Sequence, residues 1–395
     1  MNIVIVGGGA AGLTAAIFAA GQGHTVTVLE QNEKPGKKLL ATGNGRCNLT
    51  NLDQKKECYR SSRPEKAARI LEQFPVSSVI SFFTELGIYT KNRDGWIYPN
   101  SGQASAVLAV LLMEVQHRKV KMKTRETVTA ITRETDGSYL VHTRGWKYPA
   151  DRVIVTTGSP ASEIAGSSAD GLQFADELGI RSIPFAPALC PLKCSGAEFQ
   201  KWSGVRADGR VTLFLDGVPV VSESGELQLT SYGISGIPVF QVSRYAVRAL
   251  EEGALVEAEL DFFPDMEEDA FAALLNHRMM SCTYKTQEEL LIGLLPDKLI
   301  PLALRNGREL DVIAHAVKHV RLKVKDSAGF ERAQVSSGGV DLAEVSDQLE
   351  SMRYPGLYFA GEVLDVDGAC GGYNLHWAWV TGAIAGFSAA KEEEE

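Results

Sequence analysis

The chain has 395 residues, a formal net charge of −9 and 38 glycines. Hydrophobic residues make up 45% of it and charged residues 23%, which excludes a disordered chain and a disulfide-stapled miniprotein. The length predicts two or three domains, and the acidic balance argues against a nucleic-acid partner, because phosphate binding needs a basic face.

The chain carries no clear targeting or disulfide signal. Its first residues, MNIVIVGGG, lack the basic segment and the long apolar run of a signal peptide, and no apolar stretch reaches 18 residues. The six cysteines form no CxxC pair, which predicts reduced thiols and no structural zinc. These features favour a cytoplasmic protein without a membrane partner, and the acidic run Lys391–Glu395 predicts a solvated tail.

The N-terminal residues predict a strand–helix–strand unit. Asn2–Val6 and Thr25–Leu29 are β-branched runs, and Leu13–Ala20 between them is rich in Ala and Leu, as helices are. The elements predicted next are helices over Pro64–Phe74, Ser77–Leu86 and Gln103–Gln116, a strand over Val120–Lys123, a hairpin of Thr127–Arg133 with Ser138–Arg144 about Asp136-Gly137, and a strand over Arg152–Thr156.

From about Phe185 the pattern changes to short strands and then to helices. Asp208-Gly209 and Asp216-Gly217 each predict a hairpin turn. The elements predicted after these turns are a helix over Val239–Leu250, mainly helical structure from Met266 to Val320, a strand over Gly356–Phe359 and a helix over Asn374–Phe387.

These elements together predict an α/β fold with two domains. A Rossmann-like domain, with a parallel sheet and a β-meander, is expected over residues 1–187 and 334–395. The inserted domain, 188–333, is expected to be β-rich and barrel-like over 188–263 and mainly helical over 264–320.

The first strand runs into a GxGxxG motif, Gly7–Gly12, which opens the first helix. In this context Gly7 allows the tight turn, Gly9 lets the backbone approach a pyrophosphate, and Gly12 lets the helix pack on the strand. Glu30 ends the next strand and can accept hydrogen bonds from ribose hydroxyls. A carboxylate there repels a 2′-phosphate, so the pattern favours NAD or FAD over NADP.

The later motifs decide between these two ligands. The third strand feeds a hairpin and then a strand that ends in Thr157-Gly158, a meander typical of flavoproteins with two dinucleotide-binding domains. Two longer motifs, GKKLLATGNGRCNLTN over 36–51 and GLYFAGEVLDVDGACGGYN over 356–374, resemble the HI0933-like (BaiN/aminoacetone oxidase-like) family of FAD-dependent flavoproteins. The resemblance runs from end to end and includes TSYGISG over 230–236.

The resemblance implies an FAD site built from both ends of the chain. Glycines allow close backbone approach, Arg46 can offset negative charge, and the helix that follows Gly371–Asn374 would direct its N–H groups at the flavin. Val128 would be a backbone partner for adenine. The expected contacts beyond Gly7, Gly9, Gly12 and Glu30 are Ala10, Ala11, Gln31, Lys38, Thr42, Gly43, Asn44, Gly45, Arg46, Cys47, Asn48, Val128, Thr157, Gly158, Gly361, Glu362, Asp367, Gly371, Gly372, Tyr373 and Asn374.

Few side chains are predicted to take part in catalysis. Tyr373 and Tyr232 are the candidates, and His376 is the one histidine beside a flavin motif. Cys47 has no partner cysteine nearby in sequence and is interpreted as a packed, uncharged contact, as is Cys370. The histidines are isolated in the sequence, and no metal site is predicted.

The family resemblance implies an oxidoreductase that acts on a small molecule, and three reactions stay open. The first is an NAD(P)H-dependent reduction of conjugated C=C bonds in a 3-oxo steroid or bile-acid-like substrate. With no second GxGxxG present, NADH or NADPH would bind transiently in the substrate cleft, roofed by the inserted domain. The second is an amine oxidase that produces hydrogen peroxide, and the third is a non-catalytic redox or tRNA-associated flavoprotein.

Three residues depart from the family pattern. Trp96 stands in a segment where the family usually has a charged residue, and Ser231 and Ile237 flank the GISG motif in place of the usual His and Pro-Ala neighbours. All three lie outside the core FAD motifs, so we expect them to adjust the substrate site. The sequence leaves the oligomeric state open.

Overall fold

The computed structural model describes residues 1–196 and 199–391. Most of the predicted acidic tail, 392–395, lies outside the described residues. Contacts divide the chain into two compact units, 1–185 with 335–395, and 186–334. The domain boundaries expected from the sequence, between 187 and 188 and between 333 and 334, stay predictions. The predicted fold class, a Rossmann-like sheet with an inserted barrel-like and helical region, is confirmed.

Short strands and helices follow one another along the whole described chain. The strands are β1 (Asn2–Val6), β2 (Thr25–Glu30), β3 (Thr50–Asn51), β4 (Tyr59–Arg60), β5 (Thr90–Arg93), β6 (Trp96–Pro99), β7 (Lys121–Thr124), β8 (Val128–Arg133), β9 (Tyr139–Thr143), β10 (Lys147–Ala150), β11 (Arg152–Val155), β12 (Ser182–Ala188), β13 (Leu192–Cys194), β14 (Arg206–Leu215), β15 (Val218–Leu229), β16 (Gly233–Ser235), β17 (Val256–Asp261), β18 (Val320–Ser327), β19 (Val335–Val340), β20 (Leu357–Phe359) and β21 (Asp367–Gly368). The helices are α1 (Ala10–Ala20), α2 (Lys37–Ala41), α3 (Pro64–Glu72), α4 (Val76–Glu85), α5 (Ala104–His117), α6 (Asp170–Glu177), α7 (Phe199–Trp202), α8 (Ile237–Glu251), α9 (Glu268–Ser281), α10 (Gln287–Leu291), α11 (Ile300–Ala303), α12 (Leu310–Lys318) and α13 (Tyr373–Ala389). Short 3-10 turns cover Lys56–Cys58, Asp297–Leu299, Phe330–Arg332, Leu342–Glu344 and Gly361–Val363.

The first unit is built on a five-stranded parallel sheet in the order β20-β11-β1-β2-β7. Four of the five β1 residues are buried, as expected for a parallel strand covered on both faces. The order places β1 at the centre of the sheet, so the turn after it lies at the strand ends where dinucleotides bind.

Helices α1 and α13 pack at unusually close range on this sheet. A Cβ on Gly382 would lie 2.5 Å from the carbonyl oxygen of Ala11, and one on Gly386 would lie 2.3 Å from that of Ala15. Only glycine permits this approach of two helix backbones. The C-terminal helix is thereby fixed beside the helix that opens the dinucleotide motif.

Smaller sheets complete the first unit. The β-meander is the antiparallel sheet β10-β9-β8, and β3-β6-β5 and β21-β4 form two further sheets. The pair β21-β4 joins Asp367 and Gly368 of the C-terminal motif to Arg60 and Tyr59. This pairing brings the C-terminal motif against a segment that follows the first long motif, about 300 residues away in the sequence.

The second unit is a closed barrel in the order β13-β16-β15-β14-β17-β18. Its interior is apolar, and Val211, Leu213, Leu227 and Ala258 are fully buried there. Helix α8 packs against β14 and β15, and α12 packs against α9. Buried residues alternate with partly buried ones along β17 and with exposed ones along most of β18, which matches strands with one face toward a core.

The predicted turn at Asp208-Gly209 is wrong, whereas the turn at Asp216-Gly217 connects β14 to β15. Asp208 and Gly209 lie inside β14 and pair with Glu226 and Gly225 of β15. A Cβ on Gly209 would lie 2.7 Å from the carbonyl oxygen of Asp261. Gly209 therefore serves close backbone packing within the barrel, a role that glycine in a strand commonly has.

Candidate flavin site

The GxGxxG motif covers the turn after β1 and the first turn of α1, and its glycines at 7, 9 and 12 are present for different reasons. Gly7 has φ +108°, and a Cβ on Gly12 would lie 2.0 Å from the carbonyl oxygen of Gly7, so the fold itself requires both glycines. No described atom lies within 4 Å of a Cβ built on Gly9, which also has an ordinary φ. The fold therefore leaves room for a side chain at Gly9, and the predicted approach of a pyrophosphate to this glycine stays a prediction.

Glu30 is buried at the end of β2 and is held in a fixed orientation. Its Oε2 accepts a hydrogen bond from the Gly8 N–H at 2.9 Å, and its Oε1 accepts from the backbone and side-chain nitrogens of Asn32 at 2.7 and 2.8 Å. A carboxylate offers about four acceptor positions. These bonds leave Glu30 capacity to accept a further hydrogen bond, and its predicted contact with ribose hydroxyls stays a prediction.

The TGNGRCN segment forms a tight left-handed loop after α2. Gly43, Asn44, Gly45 and Cys47 all have φ between +53° and +79°, and the Gly45 and Cys47 N–H groups donate to the Thr42 carbonyl oxygen at 3.0 and 3.1 Å. Residues 43–46 are exposed, and the chain is buried from 47 to 50. The loop thus exposes backbone groups and Arg46, while the residues after it are fixed in the core.

Asn48 carries the most direct sign that this site takes a polar ligand. Its side chain is buried, yet neither Oδ1 nor Nδ2 has a hydrogen-bond partner among the described residues. It lies against the C-terminal motif, because a Cβ on Gly372 would be 2.9 Å from its Oδ1. An amide buried in this way is costly unless a ligand satisfies it. The ring edge of a flavin offers both donors and acceptors, so Asn48 fits FAD.

The Gly361-Glu362 segment lies next to the dinucleotide turn. A Cβ on Gly361 would lie 2.8 Å from the Cβ of Ala11, and the Gly361 N–H donates to Thr381 Oγ1 at 2.9 Å. Glu362 pairs with Lys38 Nζ at 2.7 Å and accepts from the Ser336 N–H at 3.0 Å. The structure thereby brings predicted cofactor residues from both ends of the chain together.

The Gly371–Asn374 segment forms the start of α13. Gly371 and Gly372 have φ +126° and +94°, and the Gly371 carbonyl oxygen accepts from Asn51 Nδ2 at 3.1 Å. The Asn374 amide bonds to Gly368 in both directions, at 2.8 and 2.9 Å, and so fixes this loop. The first N–H groups of a helix lack intrahelical partners and attract negative charge, so this 17-residue helix can stabilise an anionic ligand.

Tyr373 and His376 lie on the first turns of α13 and are both buried. The Tyr373 ring packs edge-on against Tyr59, with centroids 5.5 Å apart, and burial raises the pKa of its hydroxyl. His376 Nδ1 lies 2.9 Å from Thr50 Oγ1, and burial lowers its pKa to about 4. At neutral pH both side chains are therefore uncharged.

The sulfur of Cys47 is unsuited to redox chemistry as a thiolate. The residue is fully buried, and burial raises the pKa of its thiol to about 12, against a smaller lowering by a hydrogen bond with Thr42. The thiolate is the reactive form of cysteine. The sequence-based interpretation of Cys47 as a packed, uncharged contact agrees with this environment.

The remaining predicted cofactor contacts lie on several different elements of the first unit. Val128 begins β8, and Asp367 is buried in β21. Thr157 and Gly158 follow β11, and the Thr157 hydroxyl is a second buried group without a hydrogen-bond partner in the described chain. The Gln31 side chain donates to the Gly166 carbonyl oxygen at 2.9 Å.

The residues that depart from the family pattern fall in two places. A Cβ on Gly371 would lie 3.4 Å from Trp96 Cζ2, so the Trp96 ring lies beside the turn that begins α13. Ser231, Ile237 and Tyr232 belong to the second unit. Tyr232 is 40% exposed there, and Ile237 is the first residue of α8. The catalytic role predicted for Tyr232 stays a prediction.

A cavity of about 410 Å³ lies in the first unit beside Tyr59 and His376. Tyr59 contacts the Tyr373 ring, which places this cavity near the start of α13. Its lining is mostly apolar, with Lys56 and Glu72 as charged members; the remaining lining residues are Leu52, Gln54, Pro64, Ala68, Leu71, Pro75, Val76 and Ser77. Such a volume lies in the range of small-molecule sites.

The model of the HI0933-like protein Rossmann domain matches residues 1–388. The chain belongs to the HI0933-like family. It is 43% identical over 406 residues to the 3-dehydro-bile acid delta(4,6)-reductase of Clostridium scindens, an alignment that covers 99% of each chain. It is 29% identical to the ribosomal RNA dihydrouridine synthase of Haemophilus influenzae, with 98% of each chain covered.

A solved structure with the same architecture supports the fold alone. The open conformation of a flavocytochrome c3 fumarate reductase matches with a TM-score of 0.50 at 16% identity, over 98% of this chain and 78% of that one. Membership of the HI0933-like family confirms the predictions of FAD as cofactor and of an FAD-dependent oxidoreductase. Within 1–196 and 199–391, no helix combines the length and apolar character needed to cross a bilayer.

Several residues of this HI0933-like site were not among those predicted from the sequence. Thr50, Asn51 and Tyr59 hold the start of α13 through a hydrogen bond to His376, a hydrogen bond to Gly371 and a ring contact to Tyr373. Thr50 and Asn51 are the last two residues of the longer 36–51 motif, and this position was the available signal. Tyr59 lies outside both motifs, and only its pairing in β4 with β21 brings it to the site.

Proposed function

We propose that this protein is a reductase that saturates C=C bonds conjugated with a carbonyl group in a 3-oxo steroid of the bile-acid type. The 43% identity to the bile acid delta(4,6)-reductase, over 99% of both chains, carries the proposal. The dihydrouridine synthases, at 28–29% identity, are named for the reduction of a different unsaturated ring. The net charge of −9 favours the steroid over an RNA substrate.

Bound FAD, once reduced, would supply the hydride from its N5 atom, and the chain supplies the binding site and the electrostatics. In this proposal the Asn48 amide and the N–H groups at the start of α13 hold the ring edge. The Tyr373 hydroxyl is protonated at neutral pH, as an unperturbed tyrosine is, and burial raises its pKa further. It is then available as a proton donor to the substrate carbon that does not receive the hydride.

The cavity beside Tyr59 is proposed as the substrate site. Its wall at His376 is uncharged, since burial lowers the pKa of this imidazole to about 4, and an apolar ring system suits such a wall. Lys56, whose side chain is 56% exposed, lies where it can pair with the carboxylate of a bile acid. The Lys56 ammonium pairs at present with Glu65 at 2.9 Å, a surface ion pair that contributes little and is readily exchanged.

NADH or NADPH is the proposed electron donor, and an anaerobic two-step experiment tests the whole proposal. The purified yellow protein is mixed with NADH or NADPH, and the loss of flavin absorbance is followed. A Δ4-3-oxo bile acid is then added, and we expect absorbance to return with formation of the saturated product. If nicotinamides leave the absorbance unchanged while aminoacetone in air yields hydrogen peroxide, the protein is an amine oxidase instead. No response to either reagent would favour a non-catalytic role.

A further inference from the structure

The second unit contains a cluster of two imidazoles and a carboxylate that the reductase chemistry does not use. His315 lies in α12 and His319 directly follows that helix, four residues later, so both rings project from one face. The rings stack with centroids 4.6 Å apart. Glu268 begins α9, and its carboxylate meets both rings. We propose that Glu268, His315 and His319 bind a transition-metal ion, with Zn²⁺ as the best match.

The distances already approach those of a coordination sphere. Glu268 Oε1 lies 3.3 Å from His315 Nδ1, and Oε2 lies 3.1 Å from His319 Nε2. One ligand atom from each residue can be chosen so that all three lie within 4.8 Å of one another. Tetrahedral Zn²⁺ with bonds of about 2.0–2.1 Å separates its ligand atoms by about 3.4 Å. Small side-chain rotations therefore suffice to close the site.

The surroundings of His319 prepare its Nε2 atom as a ligand. Its Nδ1 lies 3.2 Å from Glu259 Oε2, and that carboxylate is held by Arg321 Nε at 2.9 Å. A histidine that donates Nδ1–H to a carboxylate presents the lone pair of Nε2, the arrangement that orients histidines in metal sites. In this cluster that lone pair faces Glu268.

A buried lysine holds the end of α12 against the segment that precedes α9. Lys318, between the two histidines in the sequence, is 6% exposed and pairs with Asp261 at 2.9 Å. Its Nζ also donates to the Phe263 carbonyl oxygen at 2.7 Å, in the segment that leads to α9. The ends of α12 and α9 are therefore held together by packing before any metal binds.

The ligand set and exposure indicate the kind of metal and its role. Two imidazoles and one carboxylate suit Zn²⁺, Ni²⁺ or Cu²⁺ rather than Mg²⁺ or Ca²⁺. The His315 side chain is 63% exposed, which leaves a fourth position for water. Bound metal would join α9 to α12 and stabilise the second unit, since a ligand that binds the folded state raises its stability.

Metal binding by the chelator-treated, FAD-loaded full chain tests this proposal. Zn²⁺ is titrated by calorimetry, and Co²⁺ is used as a probe whose visible spectrum reports tetrahedral coordination. We expect one Zn²⁺ per chain and a higher unfolding temperature with Zn²⁺. The variants His315→Ala and Glu268→Gln should lose both effects, and Glu259→Gln should weaken Zn²⁺ binding by about 10–100-fold.

His277→Ala, which removes an exposed histidine of α9 outside the cluster, is the matched control and should bind Zn²⁺ as the wild type does. Far-UV circular dichroism and retained flavin absorbance verify that each variant is folded. If the wild type binds no Zn²⁺, or if His315→Ala binds it equally well, the cluster is a set of ion pairs and the proposal is overturned. Neither outcome bears on the reductase proposal, which concerns the first unit.

Discussion

The replacement Asn48→Leu should change two properties of the protein in opposite directions. Leucine has nearly the same shape as asparagine but no polar atoms, and the Asn48 amide is buried without a hydrogen-bond partner among the described residues. A buried unsatisfied group costs about 1–3 kcal/mol, so the apoprotein should gain up to that amount in its free energy of unfolding. Loss of one or two hydrogen bonds to FAD should remove about 1–3 kcal/mol of binding free energy. FAD should then bind about 5–150-fold more weakly.

Urea unfolding of the apoprotein and quenching of FAD fluorescence measure these two changes separately. Asn51→Leu is the matched control, because the Asn51 amide donates to Gly371 and accepts from the Asp53 N–H at 2.9 Å. We expect that control to destabilise the apoprotein. If Asn48→Leu also destabilises the apoprotein, or if FAD affinity is unchanged, Asn48 is a structural residue and the reasoning about the flavin site is refuted.

Three further predictions concern the same unit. The Gly9→Val protein should purify without yellow colour, and a yellow Gly9→Val protein would contradict the proposed FAD site. Gly145→Val is the control and should keep its FAD, because Gly145 also has an ordinary φ and no described atom within 4 Å of a built Cβ. His376 has a folded-state pKa of about 4 against 6.5 when unfolded, so the unfolded chain binds more protons between these values and stability falls as pH falls. From pH 8 to pH 5 this residue should cost about 2 kcal/mol in the free energy of unfolding, and a His376→Gln chain with an equally steep loss would contradict it. Ala68→Trp should fill part of the cavity and raise KM for the steroid at least several-fold. Glu85→Trp, at an exposed position of α4 that does not line the cavity, should leave KM unchanged, and equal KM values for the two variants would exclude this cavity as the substrate site.

Much of the fold could be predicted because its signals are local. The β-branched runs at Asn2–Val6 and Thr25–Glu30, with a GxGxxG between them, specify a strand–turn–helix whatever follows. The prediction of a turn at Asp208-Gly209 was wrong because an Asp-Gly pair gives no information about which strand will lie beside it in the folded chain. The close approach of Asp261, more than 50 residues away, is what requires Gly209.

Part of the site could also be predicted, because its motifs are continuous in the sequence. The resemblance identified the loop at Asn48 and the turn at Gly372, but their contact joins residues 324 positions apart and exists only in the folded chain. The meeting of Glu268 with the histidines 315 and 319 was likewise invisible, since it depends on how α9 and α12 pack. The spacing of four residues between the two histidines, which places them on one face of a helix, was the signal that the sequence offered.

Reoxidation of the reduced flavin in a single anaerobic turnover tests the central claim most directly. The holoenzyme is photoreduced without any nicotinamide and mixed with a Δ4-3-oxo bile acid, and both flavin absorbance and steroid product are quantified. A conjugated-bond reductase should return the flavin to its oxidised spectrum and yield one saturated product per flavin. A flavin that stays reduced in the presence of the enone, while oxygen reoxidises it, would contradict the proposed function.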